Sequence, residues 1–364
     1  MKPARSVLVV VTRRIGDVLL TTPLIRSIKA AWPEAAIDVL VFAGTEGVLA
    51  ANSDVRRVIT IAERPRWHAH LRLLASIARR YDVALSVVPS DRPTLYAWLG
   101  GRWRAGIVPP GAKHRWKTWL LQRCVPFDTA NTHTVLMHLR LADVLRVPRS
   151  YEVVTAWQPQ AVERIARELP FELASPYAVL HTFPKFNYKM WRSEAWTNVA
   201  VWLRSQGLRI VLTGGGDPAE LEYVNAIACN IPDPVSVAGK LTLSESACLV
   251  ARARAYVGPD TAMTHIAAAA GIPVIALYGP SDPVKWGPWP AGYASAVNPW
   301  RRFGTQRVNN VTLLQGATAC VPCLNEGCDR HIGSFSDCLQ QLPSERVIAV
   351  LDAAMRTSQA RASR

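Results

Sequence analysis

Tyr256-Val257-Gly258-Pro259-Asp260-Thr261-Ala262-Met263-Thr264-His265-Ile266, running on to Gly271-Ile272-Pro273, reads as strand, tight turn, helix and stop. The apolar run 255–257 ends a buried strand, and Gly258-Pro259 turns the chain. Asp260 or Thr261 can cap the helix that follows, because a side-chain oxygen there accepts from backbone N–H groups that the first turn leaves free. Gly271 and Pro273 stop that helix, and an apolar strand, 273–278, follows at once. A helix N-terminus at the carboxyl end of a strand in a parallel sheet is a ready anion site. His265, one turn in, adds a cationic or donor group. A plain N-cap accounts for Asp260 equally well.

The same grammar extends outward in both directions. Residues 5–12 form an aliphatic, β-branched run, then Arg13-Arg14-Ile15-Gly16-Asp17, a helical pattern over 18–31 and a second strand over 36–42. That is a βαβ unit and implies a parallel sheet. Its first loop has one glycine rather than G-x-G-x-x-G, which argues against a dinucleotide site. Further strands are expected at 58–61, 83–88 and 105–108, and helices at 68–80, 92–99 and 132–145. Residues 148–159, with two prolines and no periodicity, divide the chain into domains 1–157 and 158–364. In the second domain the pattern predicts strand 177–182, helix 193–206, strand 208–213, helix 218–228, strand 235–238 and helix 244–254. Gly214, Gly215 and Gly216 let backbone approach a ligand closely. A last helix, 343–355, closes the second domain or packs back on the first.

Length and composition set limits. A chain of 364 residues suits two domains. No apolar run reaches the length of a membrane span. The apolar run 7–11 is a buried strand rather than a secretion signal, so a cytoplasmic location is expected. The net charge of +15 is uneven, +12 within 1–157 and +3 beyond. The first half therefore faces an anionic partner or a membrane surface. Nucleic acid is not expected, since no zinc-finger, helix-turn-helix or RRM pattern is present. Trp98, Trp103, Trp116 and Trp119 interleave with Arg102, Arg104, Arg115, Lys117 and Arg123. That composition suits lipid headgroups, or a solvated face over ordinary core tryptophans. Cys320, Cys323, Cys328 and Cys338 cluster as C-x2-C-x4-C-x9-C, which in a reducing compartment suggests structural zinc before disulfides.

Four places fall at carboxyl ends of expected strands, where doubly wound sheets bind ligands. They are Gly16-Asp17, His181-Thr182 with Lys185 and Lys189, Gly214 to Asp217, and Asp260 to His265. With these in order, most of the chain resembles the ADP-heptose:lipopolysaccharide heptosyltransferases, glycosyltransferase family 9. The resemblance is carried by Arg14-Ile15-Gly16-Asp17-Val18-Leu19 with Thr22-Pro23, and by Lys189-Met190-Trp191 with Glu194 and Trp196. Thr213-Gly214-Gly215, the Asp260 to Ala267 stretch, and Tyr278-Gly279-Pro280-Ser281-Asp282-Pro283 with Trp286 complete it.

This resemblance implies a GT-B fold, α/β, with two Rossmann-like doubly wound domains facing across a cleft. It implies inverting, metal-independent transfer of heptose from ADP-heptose to the inner core of lipopolysaccharide. Asp17 then matches the general base and Lys189 a lysine on the donor phosphates. Thr182, Gly214, Gly215, Asp260, Thr261, Ala262 and His265 match the donor side, and Arg13, Arg14 and Gly16 the acceptor side. The family usually has Gly where this chain has Ala262. The expected partners are a nucleotide-sugar, an anionic glycolipid and the inner leaflet, with the protein peripheral to the cytoplasmic face of the inner membrane. No cofactor is needed for catalysis.

The chemistry stands independently. A sugar leaving ADP develops negative charge that Lys189 and the N–H groups near Thr261 can offset. No D-x-D occurs to bridge a metal to a diphosphate. An acceptor hydroxyl needs a base within reach, which Asp17 can be, although Asp17 also suits the N-cap of the following helix. Lys185 suits a solvated loop better than a phosphate. The competing readings are a transferase for another nucleotide-sugar or acceptor, a non-enzymatic polyanion-binding relative, and, disfavoured by the missing glycine fingerprint, an oxidoreductase.

Overall fold

The computed structural model describes residues 2–128 and 130–362. It comprises two compact units, Met1–Ala156 with Ala294–Asn298, and Trp157–Tyr293 with Pro299–Arg364.

The first unit holds β1 (Ser6–Val11), β2 (Ala36–Phe42), β3 (Arg57–Ile61), β4 (Tyr81–Ser86), β5 (Gly101–Val108) and β6 (Arg123–Pro126). They lie in the order β3-β2-β1-β4-β5-β6, all parallel. Val9 pairs with Val39 on one side and Leu85 on the other. Residues Val7 to Val11 have no solvent exposure, as a central parallel strand covered on both faces requires. The second unit holds β7 (Tyr177–His181), β8 (Arg209–Thr213), β9 (Val235–Ser236), β10 (Ala255–Pro259), β11 (Val274–Tyr278), β12 (Gln306–Val308) and β13 (Val311–Gln315). Their order is β12-β13-β11-β10-β7-β8-β9, with only β12 antiparallel. From its other edge this is the same winding. In both sheets the order reverses beside the first strand, between β1 and β4 and between β7 and β10. The crevice at such a reversal is where doubly wound sheets hold ligands.

Local chemistry explains the departures from expectation. The helix expected over 18–31 is two helices, Ile15–Leu19 and Thr22–Ala31. Pro23 enters the first turn of the second, and proline cannot donate to the carbonyl four residues back. The Thr22 hydroxyl donates to that carbonyl, Leu19 O, at 2.7 Å, and the Thr21 hydroxyl to Asp17 O at 2.8 Å. Helix Ala262–Ala270 ends at Gly271 with φ +84°, a left-handed stop that glycine adopts without strain. The last helix is Ser344–Ala362, and Val347, Leu351 and Ala354 pack into the core of the second unit with Trp191 and Trp196.

The stretch 113–123 resolves into helix Arg115–Leu120 and edge strand β6. Lys117, expected among the surface cations, is fully buried. Its ammonium donates to Pro89 O at 2.8 Å and pairs with Asp91 at 2.7 Å, so it pins the β4–helix loop instead. Among the described residues no helix is long and apolar enough to cross a membrane.

Candidate active site

In the first unit the carboxyl end of β1 delivers Asp17. The N-cap of helix Ile15–Leu19 is Arg14, so Asp17 lies inside the first turn and is not the cap. Its negative charge still suits that end of the helix dipole. Its side chain is 9% exposed and lies 3.7 Å from the Arg13 guanidinium. Arg13 is half-buried, Arg14 exposed, and Gly16 half-buried beside them. A buried ionised carboxylate can only accept hydrogen bonds, which is what an incoming hydroxyl offers.

In the second unit two loops from the reversal point meet. After β7 the chain turns through Asn187–Lys189, and after β10 it reaches Asp260. The Lys189 ammonium donates to the Asp260 carboxylate at 2.5 Å and to Asp260 O at 3.3 Å. Asp260 therefore does not cap the following helix. The N-cap is Thr261, whose side chain makes no capping bond. Burial pushes the Asp260 carboxyl up, but the charge and hydrogen bond of Lys189, together with His265 and the Ser281 hydroxyl, hold it below its ordinary value. The Tyr278 hydroxyl donates to Trp286 O at 2.6 Å and lies 3.3 Å from Asp260 Oδ1. The loop after β11 thus closes on the same carboxylate. Asp282 caps the short helix Pro283–Trp286 by accepting from Val284 N at 3.0 Å.

His265 lies with Nε2 3.9 Å from Asp260 Oδ1. Burial pushes it down to about 4, so it is neutral at pH 7 and acts as a donor or acceptor rather than as a cation. Its Nδ1 and the hydroxyl of Thr182, both buried, make no hydrogen bond among the described residues. Buried polar atoms are normally satisfied, so these two keep hydrogen-bonding capacity that no described residue uses. His181 is instead satisfied: its Nδ1 is 3.1 Å from Thr213 Oγ1, and burial lowers it to about 4. Lys185 is exposed, 6.0 Å over the Phe186 ring.

Comparison with known proteins adds the last observation. The model of glycosyltransferase family 9 (heptosyltransferase) matches residues 71–307. The chain belongs to glycosyltransferase family 9. Lipopolysaccharide heptosyltransferase 3 of Escherichia coli is 29% identical over 291 residues, 75% of this chain and 83% of that one. The glycosyl transferase family 9 structure from Veillonella parvula superposes with a TM-score of 0.78 at 19% identity, over 98% of this chain and 99% of that one. The E. coli heptosyltransferase WaaC with ADP gives 0.72 at 22% identity, over 96% and 99%. Like these, the chain has a two-domain Rossmann-like fold, and as a family 9 member it is a glycosyltransferase.

One part of the donor side reads differently in three dimensions than in sequence. The space beside Gly214 and Gly215 is taken up by Glu220, whose carboxylate oxygens would lie 2.9 Å from a Cβ at either glycine. Burial raises the Glu220 carboxyl above its ordinary value. Nothing in the sequence distinguished this glutamate from Glu222, the other acid of helix Pro218–Ala228. The four cysteines, whose spacing suggests structural zinc before disulfides, form no disulfide, and Cys320, Cys323 and Cys328 lie near enough to Cys338 to act on its thiol. Among the described residues no group of three or more His, Cys, Asp or Glu side chains could hold a metal ion. Cys338 is buried, its thiol pushed up to about 12 by burial, and packs against Gly316 and Gly279. Cys320 faces the Thr318 hydroxyl at 3.2 Å, and Cys328 accepts from Asp337 N at 3.4 Å.

Proposed function

We propose that the protein transfers heptose from ADP-heptose to the inner core of lipopolysaccharide, with inversion and without a catalytic metal. The observation that carries this reading is the pairing of Lys189 with Asp260. It places one cation at the reversal point of the second sheet, beside the start of helix Ala262–Ala270. Asp17 accepts the proton of the acceptor hydroxyl as its oxygen attacks the anomeric carbon. The bond from that carbon to the diphosphate breaks, and the electron pair leaves on ADP. Lys189 and the N–H groups of the Thr261 turn meet the charge that grows on the diphosphate. Thr182 and His265 offer their unsatisfied atoms to the donor. Ala262 stands where the family usually has Gly, at the approach to phosphate. Arg13, Arg14 and Gly16 flank the base on the acceptor side.

ADP tested by thermal shift against UDP and GDP examines the donor. At a hundred times its dissociation constant a ligand stabilises by about 2.7 kcal/mol, a rise of a few degrees in a protein of this size. ADP is expected to give that rise and the other two little. UDP or GDP stabilising instead would support a transferase for another nucleotide-sugar.

The first unit also carries a surface suited to an anionic bilayer, which supports a peripheral position at the cytoplasmic face of the inner membrane as part of this proposal. Trp67 is 75% and Trp119 82% exposed, and Leu71, Leu95 and Trp98 are exposed on the same run of helices. Arg64, Arg66, Arg72, Arg102, Arg115 and Arg123 are exposed in the same stretch of chain. Basic side chains near an anionic bilayer contribute about 1 kcal/mol each, and tryptophan favours headgroup depth. Co-sedimentation with anionic but not zwitterionic vesicles, weakening with salt and with Trp67→Ser and Trp119→Ser, is the expected result. Unchanged sedimentation of the double variant would reduce this surface to a solvated face.

A further inference from the structure

We infer that the cysteine-bearing segment 317–342 is a strap that sets the position of Lys189, with Ser336 and Gln340 as positioning residues. The inference rests on the proposed role of Lys189 at the donor phosphates and extends it.

In sequence this segment lies far from every donor motif. In the fold it returns to the Lys189 loop and grips it on both sides. The Ser336 hydroxyl donates to Tyr188 O at 2.7 Å, and the Gln340 amide donates to Met190 O at 2.8 Å. These are the carbonyls of the residues immediately before and after Lys189. The Asn187 amide donates to Gly333 O at 3.2 Å, and the Trp191 indole to Leu342 O at 2.9 Å. Four of the five residues from 187 to 191 are therefore tied to the strap, and the fifth is Lys189.

The loop needs this support. Its only regular structure is a three-residue turn, closed by Lys189 N to Phe186 O at 3.0 Å and Met190 N to Asn187 O at 2.9 Å. Turns this short have little stability of their own. Lys189 is also a flexible four-carbon stem, so its ammonium is only as well placed as the backbone beneath it.

The strap is itself seated on the sheet. Gly316 N, at its start, donates to Tyr278 O at 2.8 Å, and Leu324 N donates to Pro280 O at 3.0 Å, while Ala317 N to Cys338 O at 3.0 Å closes the strap on itself. A Cβ at Gly316 would lie 2.7 Å from Cys338 O, and one at Gly279 2.8 Å from Leu339 Cδ1, so the strap fits only against bare backbone. Pro280 follows Tyr278, whose hydroxyl sits beside Asp260. The strap therefore braces both the loop that carries Lys189 and the loop that closes on its carboxylate partner. Ser336 is 2% exposed, so its bond is sheltered from competing water.

The test is a double-mutant cycle in the full-length protein, read as ADP affinity by calorimetry and as turnover. Ser336→Ala and Gln340→Ala are each made alone and in a Lys189→Met background. Each alone should weaken ADP binding and lower kcat/KM by about three- to tenfold, and in the Lys189→Met background each should change ADP affinity by less than about twofold, the non-additivity of groups acting through one another. Equal effects in both backgrounds would overturn the inference, because the strap would then act on general stability rather than through Lys189. Full ADP affinity and turnover in both single variants would overturn it as well. If Lys189→Met itself leaves ADP affinity and turnover intact, the phosphate role of Lys189 fails, an outcome distinct from failure of the strap. Gln340 is the less buried of the two, so Gln340→Ala keeps the test decisive should Ser336→Ala fold poorly.

Discussion

Asp17→Asn is expected to lower turnover by roughly 2–4 orders of magnitude, the range for a lost general base, while ADP affinity stays unchanged. Asparagine keeps the size and one carbonyl oxygen of aspartate, so helix Ile15–Leu19 loses little. It cannot take a proton. The Arg13 guanidinium at 3.7 Å also loses its partner, but Arg13 is partly exposed and exposed pairs contribute about 0–1 kcal/mol. A large fall in rate therefore reports chemistry rather than unfolding. Near-normal turnover in a folded Asp17→Asn variant would remove Asp17 from the mechanism.

Lys189→Met should be the second largest effect, and it acts on two quantities at once. The charge that Lys189 meets is greater in the transition state than in the ground state, so turnover should fall more steeply than donor affinity. Removal of one electrostatic donor from such a site lowers rate by about 10²–10³. The substitution also strands the Asp260 carboxylate, 9% exposed, without its ion-pair partner. An uncompensated buried charge is destabilising by about 3–5 kcal/mol. The double variant Lys189→Met with Asp260→Asn removes that charge, so it should recover thermal stability without recovering turnover. Activity returning along with stability would show that Lys189 serves the fold and not the reaction.

Both sheets were legible because their strands are continuous apolar runs, such as Val7 to Val11, punctuated by glycine, proline and capping residues. Parallel strands buried on both faces leave that trace in any chain. The short pieces were not legible. Helix Arg115–Leu120 with β6, and the β12–β13 hairpin, are too brief for periodicity to declare them. The candidate site divides in the same way. Asp17, Lys189 and Asp260 could be placed near strand ends because the strand ends could be read. Which partner each would take could not, since Lys189 and Asp260 are 71 residues apart and an N-cap suited Asp260 equally well. Lys117 shows the reverse error. Among exposed arginines and tryptophans it reads as a surface cation, and only the approach of Asp91 and Pro89 O makes its burial affordable. The cysteine spacing also carried no sign of the contact that this segment makes with the loop of Lys189, 147 residues before Ser336 by chain position and adjacent to it through Tyr188.

The central claim is that this chain moves heptose from ADP to a core acceptor. The most direct measurement incubates the purified protein with ADP-heptose and a lipopolysaccharide core lacking heptose, with EDTA present, and follows acceptor mass and free ADP together. The account predicts that the acceptor gains one heptosyl unit for each ADP released, and that EDTA leaves the rate unchanged. Absence of any mass gain with ADP-heptose, alongside transfer from a UDP- or GDP-sugar, would contradict it.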